Sequence, residues 1–150
     1  MAQIVHGWRF PDGCDVPDRQ AAPALWSSFE SRGEEVSVPN ASLVMDVGRQ
    51  LGCVWGDPKI IVHDTRVAER SSMSDDGGSE KREEMPYVAV KHTVRFDGET
   101  HARIGSTDAS TNGLEDMVST AETKALKRTI QSAVGIWRIG GRDHATTTNR

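Results

Sequence analysis

Residues 87–105 have the sequence YVAVKHTVRFDGETHARIG, and this stretch decides the fold class. Val88, Val90 and Val94 alternate with more polar residues, which is typical of a β-strand with one buried face. The dipeptide Asp97-Gly98 follows, and it is a strong short-range signal for a hairpin turn. The stretch therefore predicts two antiparallel strands joined at Asp97-Gly98.

The register of this hairpin depends on which residues share the apolar face. A two-residue loop would put Arg103 on that face. A loop one residue longer, with Gly98 left-handed and a bulge, pairs Val94 with Thr100 and moves Arg103 to the other side. We predict the bulged register, because it keeps the apolar side chains together. The opposite face would then hold Lys91, Thr93, Arg95, His101 and Arg103.

A helix is predicted on each side of this hairpin along the chain. Residues 39–52 have apolar side chains at helical spacing, with Asn40 or Ser42 as the N-terminal cap. Residues 114–136 predict the longest helix, with acidic residues early and basic residues late, as the helix dipole favours. The glycines expected to end the two helices are Gly52 and Gly135.

The remaining segments complete an α+β domain. Residues 59–68 predict a β-branched strand, and residues 69–86 predict a flexible, charged loop. Residues 1–38 form a partly irregular N-terminal extension, residues 39–138 the α+β domain, and residues 139–150 a disordered tail. In the extension we expect a strand at 4–8 and a helical turn at 24–31. The fold class is an antiparallel sheet with a β-β-β-α core, packed against the long C-terminal helix and the shorter N-terminal one.

Composition and charge limit the classes of function. The 150 residues carry a net charge of -4. The acidic surplus lies in residues 1–86, with 9 basic against 15 acidic residues, whereas residues 87–138 have 7 against 6. No apolar run is long enough to span a membrane, and no leader peptide is recognisable, so we expect a cytoplasmic protein. Cys14 and Cys53 are expected to be free thiols.

The sequence contains no recognised catalytic or metal-binding signature. His63, His92 and His101 lack the ligand spacing of zinc sites, and no Cys-x-x-Cys occurs. A Gly-x-Ser-x-Gly elbow, a P-loop and a dinucleotide-binding glycine motif are also missing from the sequence. We therefore predict a protein that is not an enzyme and needs no metal or cofactor.

Two basic clusters are the candidate functional features. Lys124, Lys127 and Arg128 are spaced i, i+3, i+4 and share one face of the long helix. The predicted hairpin contributes Lys91, Arg95 and Arg103, and Glu99 would lie close enough to neutralise Arg95. Each cluster alone is more often an ordinary solvated surface. Together they predict a groove that contacts phosphates independently of sequence.

Three stretches, taken in order, resemble the single-strand DNA annealing proteins of the Rad-fifty-two superfamily, which includes phage and archaeal members. Residues 42–52, followed closely by Trp55, are similar to the family's helix that ends in a large apolar residue and glycine before a tryptophan. Residues 94–105 are similar to its hairpin with an Asp-Gly turn and a final Ile-Gly. Residues 121–128 resemble its helix motif that ends in Leu-Lys-Arg.

This resemblance implies a β-β-β-α unit that assembles into rings or helical filaments. It implies single-stranded DNA bound in a positive groove, with Lys127 and Arg128 matching the family's DNA-contacting Lys-Arg pair. The expected function is binding and annealing of complementary single strands in recombination or repair. Expected partners are further copies of the chain and a recombinase, a nuclease or a single-strand-binding protein.

An alternative uses the same fold without DNA. The chain could be a protein–protein interaction module or a phage or viral structural protein. The acidic net charge favours this alternative, as do Gln131 and Ser132, one of which replaces a further basic residue that many family members carry.

Overall fold

The fold is built around one long strand, β7 (Glu80–Phe96). One edge of β7 pairs antiparallel with β6 (Lys59–Ser71) and, near its end, with β5 (Val54–Trp55). Its other edge pairs antiparallel with β8 (Glu99–Asp108). These relations come from a computed structural model that describes residues 2–71, 80–108 and 114–139.

Two helices cover one face of this sheet. The helix α2 (Leu114–Val134) packs across β7 and β8, and α1 (Ala41–Gln50) packs against α2. Under the helices, Val88, Val90 and Val94 are fully buried, as their alternation predicts. The α+β class is therefore confirmed, with β6, β7, β8 and α2 as the β-β-β-α core.

The ends of both helices follow their local sequence. Asn40 caps α1, since its Oδ1 accepts a hydrogen bond of 3.1 Å from the amide of Leu43. Gly52 and Gly135 follow α1 and α2 with φ of 89° and 88°, a left-handed conformation that costs glycine no steric clash. The two predicted helices and their stops are confirmed, and Asn40 is the cap that forms.

The N-terminal segment contains more strand than its sequence predicts. The strands β1 (Gln3–Val5) and β2 (Trp8–Phe10) form a hairpin, and β9 (Trp137–Arg138) adds a third strand to it. The strands β3 (Trp26–Ser31) and β4 (Glu34–Pro39) form a second, two-stranded hairpin.

The predicted helical turn at residues 24–31 is wrong, because only Pro23–Leu25 forms a short 3-10 helix before β3 begins. The predicted loop at 69–86 is also too long. Backbone pairing between β6 and β7 continues to Ser71 and Glu80, and residues 72–79 lie outside the described residues. Apart from Ile139, the predicted tail at 139–150 lies outside them as well.

The register of the β7–β8 hairpin corrects our prediction. Val94 pairs with His101, and Phe96 pairs with Glu99, so the loop has two residues and no bulge. Asp97 and Gly98 have φ of 52° and 78°, the two positive values that a type I′ turn needs. This turn matches the twist of the flanking strands, and it determines the register.

The new register reverses the faces of β8. Arg103 pairs with His92 and lies on the helix side of the sheet, and Ile104 pairs with Lys91 on the other side, where it is 50% exposed. Gly105 lies under α2 at a point where a side chain would meet the helix backbone. On the helix side of β8, Gly105 therefore packs directly against α2. Ile104 does not contribute to the apolar surface on that side.

Candidate functional site

Three basic side chains line the junction between α2 and the edge of β8. Arg128 Nη1 lies 3.1 Å from the carbonyl oxygen of Ile104, and Lys124 Nζ lies 3.4 Å from that of Ser106. Arg103 Nη1 donates to the carbonyl of Ala102 at 2.9 Å. We call the row formed by Arg103, Arg128 and Lys124 the basic seam.

The spacing of the seam cations follows from the helical periodicity of α2 and the strand periodicity of β8. Lys124 and Arg128 are one helical turn apart, so they lie on the same side of α2. Their acceptors, Ile104 and Ser106, are two residues apart on β8, and carbonyls of alternate residues point the same way along a strand. The cations are thus spaced along the strand edge at roughly 7 Å intervals.

The charges of the seam have no carboxylate partner within the described part of the chain. There, Arg19 forms an ion pair with Glu35, and the carboxylate of Glu99 lies next to the imidazole of His101. The seam side chains instead donate to neutral acceptors, including the hydroxyl of Ser132, which Arg103 Nη2 contacts at 2.8 Å. Neutral acceptors leave the full positive charge of these side chains in place.

Lys127 lies beside the seam rather than in it. It is next to Arg128 in sequence, which turns it about 100° around the helix axis. Its side chain is half-buried, and desolvation lowers the pKa of its ammonium group. An anion placed at Lys127 would relieve that desolvation cost.

Lys91 and Arg95 lie on the opposite face of the sheet. They alternate along β7 with the buried His92 and Val94, so they point away from the helices and are exposed. Lys59 of β6 pairs with Lys91 and shares this face. The prediction that both basic clusters line one groove is therefore wrong. Of the three hairpin cations, Arg103 lies beside the helix cluster, whereas Lys91 and Arg95 lie on the other face of the sheet.

Glu99 does not neutralise Arg95, in contrast to our expectation. Thr100 is the residue that pairs with Arg95, whereas Glu99 pairs with Phe96 and lies on the helix side. The carboxylate of Glu99 is 3.8 Å from Nε2 of His101. The cations of the exposed face thus keep their charge as well.

Two features were missed by the sequence analysis. Lys59 lies on the same sheet face as Lys91 and Arg95 because it pairs with Lys91. The alternation of apolar and polar residues within β6 does not reveal this. Arg49 of α1 stacks on Trp55, with its guanidinium carbon 5.4 Å from the ring centroid, beside a shallow pocket of about 320 Å³. The residues of this pocket are Arg49, Cys53, Val54 and Trp55.

The described residues include two buried thiols and no grouped metal ligands. In residues 2–71, 80–108 and 114–139, no three His, Cys, Asp or Glu side chains are grouped as metal ligands. Cys14 and Cys53 are free thiols, as expected, and burial raises the pKa of both. No helix in these ranges combines the length and apolar character needed to cross a membrane.

Comparison with models of known families and with curated proteins found no match to this chain.

Proposed function

We propose that this chain binds single-stranded DNA along the basic seam and anneals complementary strands. The observation that carries the proposal is the row of Arg103, Arg128 and Lys124, which have no carboxylate partner among the described residues. Cations in a row contact successive phosphates without reading the sequence. The resemblance to annealing proteins implies a DNA contact in the same helix segment, at Lys127 and Arg128.

Annealing fits this surface because it needs no catalytic residue. Two single strands repel each other through their phosphates, and a protein that neutralises part of that charge lowers the repulsion. Contacts through phosphates leave the base edges free to pair. The proposed protein is accordingly not an enzyme, and it acts in the cytoplasm in recombination or repair, alongside a recombinase, a nuclease or a single-strand-binding protein.

Three or four cations per subunit give weak binding on their own. Several copies that hold the same strand act together, because each further contact is intramolecular once the first has formed. The proposal therefore includes assembly of the chain into a ring or filament.

A second candidate is a protein–protein module without DNA binding. It is favoured by one specific observation: the seam side chains cover the outer carbonyls of β8, which has no further strand beside it among the described residues. Charged side chains on an edge strand prevent unwanted pairing with other chains. This role alone would explain why Lys124 and Arg128 lie where they do.

Fluorescence anisotropy of a labelled single-stranded oligonucleotide separates the two candidates. We expect binding at low salt that weakens steeply between about 50 and 200 mM salt, since each phosphate contact adds about 0.7 to the logarithmic salt slope. Lys124→Ala/Arg128→Ala should reduce the slope by about 1.4, the sum of two contacts. Annealing of complementary labelled strands should slow in parallel.

A matched control removes the same charge elsewhere. Arg32 lies in the turn between β3 and β4, Arg138 lies in β9, and both are exposed. Arg32→Ala/Arg138→Ala should leave the salt slope unchanged. Adding Lys127→Ala to the seam variant should abolish annealing while the far-ultraviolet circular dichroism stays that of the wild type. Absence of binding at low salt, or a seam variant that anneals like the wild type, would reject the proposal in favour of the protein–protein module.

A further inference from the structure

An aromatic ring stacked on a cation lies on one face of the three-stranded sheet formed by β1, β2 and β9. Ile4 pairs with Arg9, and Arg9 pairs with Trp137, so the three side chains form a row across the sheet. Paired residues point to the same face, and the buried Phe10 lies on the opposite face, toward the core. We call the row of Ile4, Arg9 and Trp137 the tryptophan platform.

One side of the Trp137 ring is covered by Arg9, and the other side is open. The guanidinium carbon of Arg9 is 4.2 Å from the ring centroid, within the range of a stacked cation–π pair. Trp137 is still 49% exposed, and Ile4 at the far end of the row is 65% exposed. The platform therefore presents a free aromatic surface and an aliphatic side chain on the same face of the sheet.

The end of α2 holds this stack in place. Arg9 Nη1 donates a hydrogen bond of 2.6 Å to the carbonyl oxygen of Gly135. A Cβ atom at Gly135 would lie 2.9 Å from that nitrogen and 3.2 Å from the Trp137 ring, so glycine leaves the room that the stack occupies. The Arg9 charge meets a neutral acceptor and is not cancelled. A cation-backed ring in a fixed orientation needs no further ordering before it binds a ligand.

Size and charge identify the class of ligand. A stable protein contact buries about 800 Å² on each partner, far more than one ring and one isoleucine offer. A single planar group fits one open ring face, and Arg9 behind the ring favours a group that carries negative charge nearby. An unpaired base of a nucleic acid has both properties, because its ring is planar and its phosphate is anionic. Bases stack on aromatic side chains in this way in proteins that bind single strands.

The platform lies beyond the end of the basic seam. Along α2 the seam runs from Lys124 to Arg128. Arg103 continues it one turn further, where its Nη2 contacts Ser132. Trp137 follows Ser132 by five residues, which span at most about 18 Å even when extended. A strand that follows the seam past Arg103 thus has the platform within reach of its next nucleotides.

We propose that the tryptophan platform stacks an unpaired nucleobase of the DNA strand that leaves the basic seam at Arg103. The inference rests on the proposed function for the strand itself, and it adds a contact with a base to the contacts with phosphates. None of Ile4, Arg9 and Trp137 lies in the segments that resemble annealing proteins. Stacking uses the flat surface of the base, so the edge that pairs with a complementary strand stays free.

A base contact also separates single strands from the annealed product. Phosphate contacts form with single and double strands alike. The bases of a duplex are stacked on one another, and none can lie on Trp137 without first being unstacked. The platform therefore favours single strands over the duplex, which assists release of the annealed product.

Fluorescence anisotropy with a labelled oligonucleotide of thymidines tests the platform. Trp137→Ala should weaken binding by about 5- to 150-fold, the range for loss of one stacked base, and should leave the salt slope unchanged. Trp137→Phe should retain most of the affinity, because it keeps an aromatic ring. Phe29→Ala is the matched control, since Phe29 is 50% exposed on a different hairpin and should not affect binding. A duplex of the same length should bind Trp137→Ala and the wild type equally.

A strand without bases tests the same contact in the wild type. An abasic oligonucleotide of equal length keeps every phosphate, so its salt slope should equal that of the thymidine strand while its affinity is lower. Trp137→Ala and the wild type should bind this abasic strand equally. The comparison of the two strands needs no substitution, so it holds even if Trp137→Ala does not fold.

The outcomes separate this inference from the proposed function. If no oligonucleotide binds at low salt, both fail. If Lys124→Ala/Arg128→Ala reduces the salt slope but the abasic strand binds the wild type as tightly as the thymidine strand does, the proposed function stands and the platform fails. A Trp137→Ala variant that binds the thymidine strand like the wild type, or that loses the same factor on the abasic strand or the duplex, also overturns the platform.

Discussion

At the scale of single residues, the imidazole of His92 is the least satisfied polar group in the core. It lies on the helix side of β7 and is 2% exposed. Within the described part of the chain, its Nδ1 is buried and accepts or donates no hydrogen bond. Burial lowers the pKa of His92 below its ordinary 6.5, and the carboxylate of Glu122, a backbone hydrogen bond at Thr93 and the carboxylate of Asp57 oppose that shift only in part.

His92 should make the folded state sensitive to mild acid. Because its pKa is lower in the folded state, the unfolded chain binds more protons between the folded-state pKa and 6.5. The stability that neutral His92 contributes is therefore complete above pH 6.5 and decreases as the pH falls through this range. Urea unfolding at a series of pH values should show a slope of at most about 1.4 kcal/mol per pH unit from this group.

His92→Leu provides the control, since leucine fills a similar volume and cannot titrate. This variant should lose the dependence between neutral pH and the folded-state pKa, while the acid unfolding caused by carboxylates at lower pH remains. A variant with the same pH dependence as the wild type would show that His92 is not the group responsible.

Gly105 is the second residue whose identity the structure explains. The helix α2 crosses directly over it, and a Cβ atom there would contact the amide of Ala125 and lie 2.5 Å from the carbonyl oxygen of Ala121. Both contacts are with helix backbone, so no side-chain rotation relieves them. Gly105→Ala should lower the free energy of unfolding by at least about 3 kcal/mol, the upper end of ordinary overpacking.

Gly56→Ala is the matched control for that measurement. A Cβ atom at Gly56 has no atom within 4 Å, and the substitution should change stability by less than about 0.5 kcal/mol. Urea midpoints of the two variants and the wild type provide the comparison. Equal midpoints for Gly105→Ala and the wild type would mean that α2 does not approach β8 this closely.

At the scale of elements, the N-terminal cap of α1 joins local and long-range structure. Asn40 Oδ1 caps the helix at Leu43, and its Nδ2 donates to the carbonyl of Ala24 at 2.6 Å. Asn40→Ala should therefore cost up to about 2 kcal/mol of unfolding free energy, the upper end of the range for caps. Ser42, the other cap candidate in the sequence, is exposed, and Ser42→Ala should cost much less.

Thermal unfolding followed by circular dichroism distinguishes the two substitutions. A clear drop in Tm is expected for Asn40→Ala only. An equal drop for Ser42→Ala would mean that the serine, and not the asparagine, stabilises the first turn of α1.

Elements with a strong local signal could be predicted from the sequence. The alternation of valines in β7, the Asp97-Gly98 turn and the apolar stripes of α1 and α2 gave the β-β-β-α core. The N-terminal hairpins were missed because their turns are His6-Gly7 and Arg32-Gly33. In each, both residues have positive φ, although only glycine adopts it without strain.

The register of β8 shows why the site was predicted only in part. The bulged register was preferred because an arginine on an apolar face is unfavourable. At the edge of a sheet, however, the long side chain of Arg103 reaches past the apolar surface to Ser132 and solvent. Edge position depends on the order of strands in space, which the residues of one hairpin do not encode.

At the scale of the whole molecule, the N-terminal segment shares the core of the helices. Phe10 and Trp26 are buried in one cluster with Val47 of α1 and Ile130 of α2. Their rings meet edge to face with centroids 6.1 Å apart. Arg9 adds a hydrogen bond of 2.6 Å to the carbonyl of Gly135 at the end of α2.

Phe10→Ala should therefore destabilise the entire molecule and not only its first strands. Deleting a buried aromatic ring costs about 3–5 kcal/mol, and the cavity would open against both helices. Ile4→Ala, in the neighbouring strand but 65% exposed, should cost less than about 0.5 kcal/mol. Unfolding followed by tryptophan fluorescence and by helical circular dichroism should give the same lowered midpoint for Phe10→Ala. If the helical signal kept the wild-type midpoint while fluorescence shifted, the N-terminal strands would unfold independently of the helices.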